Sequence, residues 1–429
     1  MLSTLKNAFK VPDLKKRIFM TLFLVAVYRL GAHIPVPGID ASVIKDRMNP
    51  NDNTLLGFYD LISGGAIRNF SIFAMGVVPY INSSIIMQLL TVAIPYLEQL
   101  SKEGEEGRKK IQKYTRNVAV FLGFIQAYTT YVIIYNYGAL PGVATFSLTT
   151  FLILLTLTTA STFLMWLGDA ITVKGLGNGI SLLIFINIIS SLPQSAGSVA
   201  VLSSSGSVNL VQVLVLAAVF VLMIIAVIYM TLAERRITVQ YAGKTVGNKS
   251  FKGQTSHIPF SLTSTGVIAI IFAMSVMTFP TTIARFFTGK AWSDWVLNSP
   301  YSIFNESTIA YPIFYAVLVI FFSWFYSEVT FKPEEMAENI YKSSGFIPGI
   351  RPGKPTAKYI SKVLLRVAII GGLFASVIAI SPIIVNNHTT FKNIKFGGTS
   401  ILILVNVALD TVRVLESQLV MRHYHGFLK

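Results

Sequence analysis

The chain is 429 residues long, 53% hydrophobic and only 13% charged, about half the charged share of a soluble protein, which excludes a water-soluble globular domain. Its net charge of +16 would suggest nucleic acid in a soluble protein, but the basic residues fall in loops between apolar stretches, where they first set orientation in a membrane. There is no cysteine, so disulfides, thiol catalysis and cysteine metal sites are excluded.

The N-terminal segment MLSTLKNAFKVPDLKKR is basic, and the apolar run after it lacks a small-residue cleavage site, so the first span is expected to stay in the protein. Ten apolar segments follow in chain order, at 18–36, 70–97, 118–137, 148–168, 177–192, 210–232, 266–288, 311–331, 363–386 and 398–415. Most reach the roughly 20 residues that a helix needs to cross the hydrocarbon. The fifth, GISLLIFINIISSLP, is short and needs its flanks or neighbouring protein. The pattern predicts an all-α polytopic membrane protein with both termini on one side.

Lysine and arginine choose that side. Lys6, Lys10, Lys15, Lys16 and Arg17 precede the first span, and Lys102, Arg108, Lys109, Lys110, Lys113 and Arg116 follow the second. Arg235, Arg236, Lys244, Lys249 and Lys252 follow the sixth, and Lys332, Lys342, Arg351, Lys354, Lys358 and Lys362 lie after the eighth. An even span count puts all four groups on one side, the loops after spans 3 and 5 have no basic residue, and the basic side is expected to be cytoplasmic.

Five spans lie in residues 1–209 and five in 210–429, the arrangement of two inverted five-helix halves with a pathway between them. Ile72-Phe73-Ala74-Met75 in span 2 recurs as Ile271-Phe272-Ala273-Met274 in span 7, each followed by a proline, Pro79 and Pro280.

Span 2 gathers Gly76, Pro79, Asn82, Ser83, Ser84 and Gln88, residues suited to a protein contact or a wet cavity rather than to lipid. Just before it, the run of about 54–69 holds Leu55, Leu56, Tyr59, Leu61 and Ile62 ahead of Gly64-Gly65. That amphipathic run is too short to span and fits a small helix on a glycine hinge. The basic loops 234–265 and 332–362 are long, and GFIPGIRPGKP in the second is rich enough in proline and glycine to hold a stiff shape, which suits docking a large partner.

Catalytic constellations are not visible. His33, His257, His388, His423 and His425 lack metal-ligand spacing, GKTVGNKS lacks the Gly-Lys-Ser/Thr ending of a phosphate loop, and GLGNGI has no strand before it. No enzyme activity, metal or cofactor is expected. The span count alone also allows an inverted-repeat solute transporter. Intramembrane ionisable residues are few, namely Arg29, Arg366, Asp410 and Arg413, and this sparseness counts against ion-coupled transport.

The ordered strings SIFAMGVVPYINSSIIMQLL, EGEEGRKK, GLGNGISLLIF, ERRITVQYA, GFIPGIRPGKPTAKYI and FGGTSILILVNVALD resemble those of the SecY family over essentially the whole chain. The resemblance implies ten helices around an hourglass pore in a bacterial plasma membrane, with both termini cytoplasmic. It implies SecE and SecG as partner subunits, and SecA or the ribosome as the cytoplasmic motor. Signal sequences and unfolded polypeptides would be the substrates, and lipid would receive apolar segments. The implied waist is a ring of Val77, Ile81, Ile180, Ile184, Ile271 and Ile403, with Val77 where the family frequently has isoleucine. Residues 54–69 would be the plug. The seam between spans 2–3 and 7–8 would be the lateral gate, with Ser83, Ser84, Gln88, Ser275 and Thr278 as its polar residues. The basic loops would be the docking platform, with Arg351 its foremost residue.

Overall fold

The computed structural model describes residues 9–39, 64–66, 69–136, 147–204, 208–241, 244–246, 249–251, 255–263, 266–287, 289–305, 308–388 and 398–426. Helix α1 (Pro12–Gly31) begins on a proline, whose missing N–H costs nothing in a first turn, with Asp13 at its start and Arg29 at its end in the sense the helix dipole favours. An isolated antiparallel bridge joins Pro35 to Ser71 and ties the chain leaving α1 to the chain entering the second span.

The second span is not the single helix expected over 70–97. Residues 71–77 are turns and bridge, helix α2 covers only Val78–Ala93, and α3 (Pro95–Lys102) leaves it at 99°. Both boundaries have a proline behind them. Pro79 sits in the first turn of α2, and Pro95 forces Ile94 out of the helical region to φ −106°, ψ 114°. Sixteen residues give about 24 Å of helix, less than the hydrocarbon thickness. The non-helical backbone at the other end of this span is therefore sheltered by protein rather than by lipid.

Helices α4 (Glu105–Asn136), α5 (Leu148–Lys174) and α6 (Gly179–Ser204) follow. Ser147 caps α5 by accepting from the Thr149 N–H, and Asn178 caps α6 by accepting from Ile180 and Ser181. Helix α6 runs through Pro193, twelve residues past the expected end of the fifth span at 192. Helix α7 (Leu210–Leu232) opens with an Asn209–Gln212 capping box and buries only Val227 and Thr231, the profile of a helix faced mainly by lipid.

The loop after α7 is a β-structure. Strand β1 (Glu234–Tyr241) pairs antiparallel with β4 (Thr255–Ser261), and β2 (Lys244–Val246) pairs with β3 (Lys249–Phe251) between them. Helices α8 (Gly266–Phe286), α9 (Ala291–Asn298), α10 (Ala310–Phe331) and α11 (Pro333–Lys342) come next. Strand β5 (Gly345–Phe346) then adds to the free edge of β1, and α12 (Lys354–His388) and α13 (Gly398–Gly426) close the chain. The two basic loops thus share one three-stranded sheet in an otherwise helical protein. Alternation along β1 puts Ile237 and Val239 into a small core with Phe260, Ala337, Ile340, Ile347, Ile360 and Leu364.

Nine of the ten expected segments each overlap one long helix, and the second is divided between turns, α2 and α3. Among the described residues five helices are individually long and apolar enough to cross a membrane, and the bent α2–α3 pair makes a sixth. The chain is a multi-pass membrane protein. Helix α12 starts nine residues before the expected 363, because its charged first turns project beyond the apolar stretch from which the span was read.

Candidate functional site

Aliphatic side chains from α2 and the turn before it, from α6 and from α13 come together in one place, with α8 beside it. Val77 stands immediately before α2 and Ile81 one turn later. Ile180 and Ile184 lie on one face of α6 at the i, i+4 spacing, and Ile403 lies on α13. Val77, Ile184 and Ile403 are buried, Ile81 and Ile180 partly so, and all five belong to one apolar cluster with Tyr28, Phe73, Leu183 and Ile188. Ile271 on α8 packs against the adjacent cluster, and Ile81 is common to both.

The approach of α5 and α6 that sets this geometry depends on glycine. A Cβ on Gly179 would collide with the Gly168 carbonyl, and one on Gly168 would come within 2.7 Å of Ile180 Cγ1. The GLGNG turn that superficially resembled a nucleotide motif is a packing device delivering Ile180 and Ile184 to the cluster.

Of the residues expected in the plug, Gly64 and Gly65 are described, and Leu55, Leu56, Tyr59, Leu61 and Ile62 lie outside the described residues. Gly64 and Gly65 have φ of +67° and +85°, a conformation glycine adopts without strain. A Cβ on Gly64 would stand 2.8 Å from Asn187 Oδ1 and 3.0 Å from Arg29 Nη1. Asn187 follows Ile184 by three residues, so the glycine end of the segment rests within one turn of the aliphatic cluster. Arg29 Nη1 lies 3.5 Å from Asn187 Oδ1, and the buried Tyr28 also bonds the Asn187 side chain. Neither Asn187 nor Tyr28 stands out in the sequence, since each reads as an ordinary span residue until the fold joins α1 to α6.

The polar residues expected on the seam divide. Ser275 on α8 donates to Asn82 Oδ1 on α2 at 3.1 Å, a direct hydrogen bond between the two sides. In the sequence Asn82 is marked only as a polar residue of span 2. Ser83 is fully buried and donates to the Thr115 carbonyl on α4 at 2.6 Å, which ties α2 to its own side. Thr278 is buried and bonds the Ser275 carbonyl within α8. Ser84 is partly buried and Gln88 exposed.

At the basic end of the seam two ion pairs face each other. Lys102 bonds Glu98 at 2.7 Å on α3, and Lys332 bonds Glu335 at 3.2 Å at the start of α11. The bond from Lys102 holds the Glu98 carboxyl below its ordinary range, and Lys332 adds to the effect. The bond to Glu98 holds Lys102 above its ordinary range, and Glu335 adds to that.

The basic residues expected to dock a partner fall on the sheet and on the start of α12. Arg235 and Arg236 open β1 and are exposed, Arg351 is exposed in the tight chain before α12, and Lys354 and Lys358 are exposed in the first turns of α12. Lys244 and Lys249 lie in β2 and β3, and Lys252 lies outside the described residues.

The SecY family model matches residues 71–412. A protein translocase subunit SecY from Streptomyces scabiei is 40% identical over 445 residues, covering 100% of both chains. A solved SecY protein, whose plug domain stabilises the closed state of the translocation channel and maintains a membrane seal, matches with a TM-score of 0.63 at 18% identity, over 94% of this chain and 92% of that one. The yeast Ssh1 complex, solved idle on the yeast 80S ribosome, matches with a TM-score of 0.63 at 15% identity, over 94% of this chain and 89% of that one.

Proposed function

The chain belongs to the SecY family, and from that premise we infer that it is a protein-conducting channel, passing unfolded secretory polypeptides across a bacterial plasma membrane. The observation that carries this reading is the aliphatic cluster of Val77, Ile81, Ile180, Ile184 and Ile403, gathered from three separate segments of the chain, for which a merely lipid-facing protein has no need. With Ile271 beside it, this is the waist. A narrow ring of branched aliphatics dewets and blocks ions, and it offers no hydrogen bonds, so chains of unlike sequence slide through it.

The two halves 1–209 and 210–429 contribute ten crossings, and both termini are cytoplasmic. Residues 54–69 form the plug, seated through Gly64 against Asn187 and Arg29. The seam closed by Ser275 and Asn82 is the lateral gate, through which a sufficiently apolar segment leaves the wet pore for lipid because burial of its surface is favourable. The shared core beneath the two basic loops gives a rigid platform for a large anionic or acidic partner, SecA or the ribosome, with SecE and SecG completing the complex. No energy source is built into the chain, so the partner supplies the driving force.

The absence of native cysteine allows a direct test. A single cysteine replaces Ile184, a secretory chain carrying one cysteine is stalled part-way across, and disulfide adducts are scored. An adduct at Ile184 that is lost when the cysteine moves to the lipid-facing Val219 is expected. Stalled chains that bind yet link at none of Ile184, Ile81 and Ile403 would overturn the pore and restore the solute-transporter reading.

A further inference from the structure

On the side of the membrane away from the sheet, the connection between α8 and α10 is rooted at both ends. Helix α8 starts just past β4, and its 21 residues run about 31 Å, close to the hydrocarbon thickness. Its far end, and the short α9 that follows, therefore lie at the opposite membrane boundary. The buried Ser293 of α9 donates to the Ala284 carbonyl of α8 at 2.6 Å. Further on, Ser302 donates to the Val296 carbonyl at 2.8 Å. Phe304 then meets Phe314 of α10 edge to face, against the core that α8 and α10 share.

The other side of this connection is aromatic and open. Two of the four tryptophans of the chain, Trp292 and Trp295, stand in this eight-residue helix, and both are exposed. Three residues apart, they share one side of α9. Ser293 and the partly buried Leu297 turn toward the protein, and the exposed Asp294 lies on the flank. Phe287 at the end of α8 packs on Trp292 with ring centres 5.6 Å apart. Lys290 Nζ stands 5.2 Å from the centre of the Phe287 ring, a cation–π contact that orders the patch from behind. Tyr301 and Ile309 are each 84% exposed. From Ile309 the open apolar face continues along α10 through Ile313 and Val317 at four-residue steps, so the patch runs into the surface of a span. Within 289–305 the charged residues are Lys290 and Asp294, which cancel.

We propose that α9 is an interfacial helix, with Trp292, Trp295 and Tyr301 seated at the boundary between headgroups and acyl chains, where lipid fixes the depth of the far ends of α8 and α10. Tryptophan and tyrosine concentrate at that boundary because the ring is apolar while its N–H or O–H still reaches water. A neutral patch has no preference for charged headgroups, so zwitterionic lipid suffices. This role requires that the chain crosses a membrane and is independent of what the pore conducts.

The test reads tryptophan fluorescence of the full chain in nanodiscs of phosphatidylcholine brominated at a shallow or at a deep acyl position, with and without iodide in the water. Trp166→Phe with Trp324→Phe leaves Trp292 and Trp295 as the only tryptophans. The converse variant, Trp292→Phe with Trp295→Phe, gives the same signal by subtraction from the unsubstituted chain if the first does not fold. Shallow bromines are expected to quench the α9 pair more than deep ones, and iodide to quench it several-fold less than a free tryptophan derivative. Strong iodide quenching without an effect of bromine would put α9 in water and overturn the proposal. Stronger quenching by the deep bromines would put it in the acyl core and overturn the interfacial assignment. Protection from both quenchers would mean that protein rather than lipid covers this face, which also overturns it.

Discussion

Gly179 shows how a single missing methyl group can position a functional surface. Its Cβ would fall on the Gly168 carbonyl, whereas one on Gly197, further along the same helix, would meet nothing within 4 Å. Gly179→Ala should therefore force α5 and α6 apart and cost about 1–3 kcal/mol, the range for overpacking. Gly197→Ala should be neutral or slightly stabilising, since alanine is the better helix former. Thermal unfolding of the two purified variants in one detergent checks this, and equal midpoints would contradict the packing reading of the GLGNG turn. The glycines were legible in the sequence, but their reason was not, because it depends on a carbonyl eleven residues away.

At the scale of elements, the positions of the spans were legible because roughly twenty apolar residues between basic loops have few other solutions in a membrane. The form of the second span was not. No charged residue interrupts 70 to 97, yet Pro79 and Pro95 divide that stretch into turns, a short helix and a second helix at 99°. The sheet was also missed, because β1 and β4 come from one loop and β5 from the other, with Gly345 pairing to Tyr241 across 104 residues of sequence, and pattern along one loop cannot announce its partner. The polar seam lay between these extremes: polar residues in spans 2 and 7 were visible, but which of them face each other depends on helix rotation. Ser275 reaches Asn82 and Ser83 does not reach α8, and this makes a distinction between two serines. Ser275→Ala should remove one hydrogen bond across the seam, worth about 0.5–1.5 kcal/mol, and so raise membrane integration of a marginally apolar test segment by several-fold. Ser83→Ala should act on the stability of the α2–α4 contact instead, leaving the apolarity threshold for integration unchanged. Glycosylation-mapped integration of a graded series of segments separates the two.

For the whole molecule, the basic mouth of the seam is where the two halves meet through charge. Glu98 and Lys102 belong to α3, Lys332 and Glu335 to the start of α11, and the charges of the second pair act on both members of the first. The signs make this contact insensitive to ordinary pH. Glu98 titrates below its usual 4.5, so its contribution is present at neutral pH and is lost only as pH falls through that depressed value. Lys102 titrates above its usual 10.5, so its contribution is present at neutral pH and is lost only as pH rises through that elevated value. Salt acts differently: these groups are exposed, and the Debye length shrinks from about 10 Å at 0.1 M to about 3 Å at 1 M, so the attraction between pairs should fade while the hydrogen bonds within each persist. A charge exchange isolates that attraction. Glu98→Lys with Lys102→Glu keeps the pair on α3 but turns its face on α11 from attractive to repulsive, and adding Lys332→Glu with Glu335→Lys restores the match. Passive dye leak from sealed proteoliposomes should rise in the first double variant and return toward the original in the fourfold one. It should stay flat between about pH 6 and 9 at fixed salt, because neither depressed carboxylate nor elevated ammonium titrates there. The expected change is modest, as for other exposed ion pairs, and it should disappear at 1 M salt. A leak equal in all three proteins at low salt would mean that the halves are held at this mouth by packing alone.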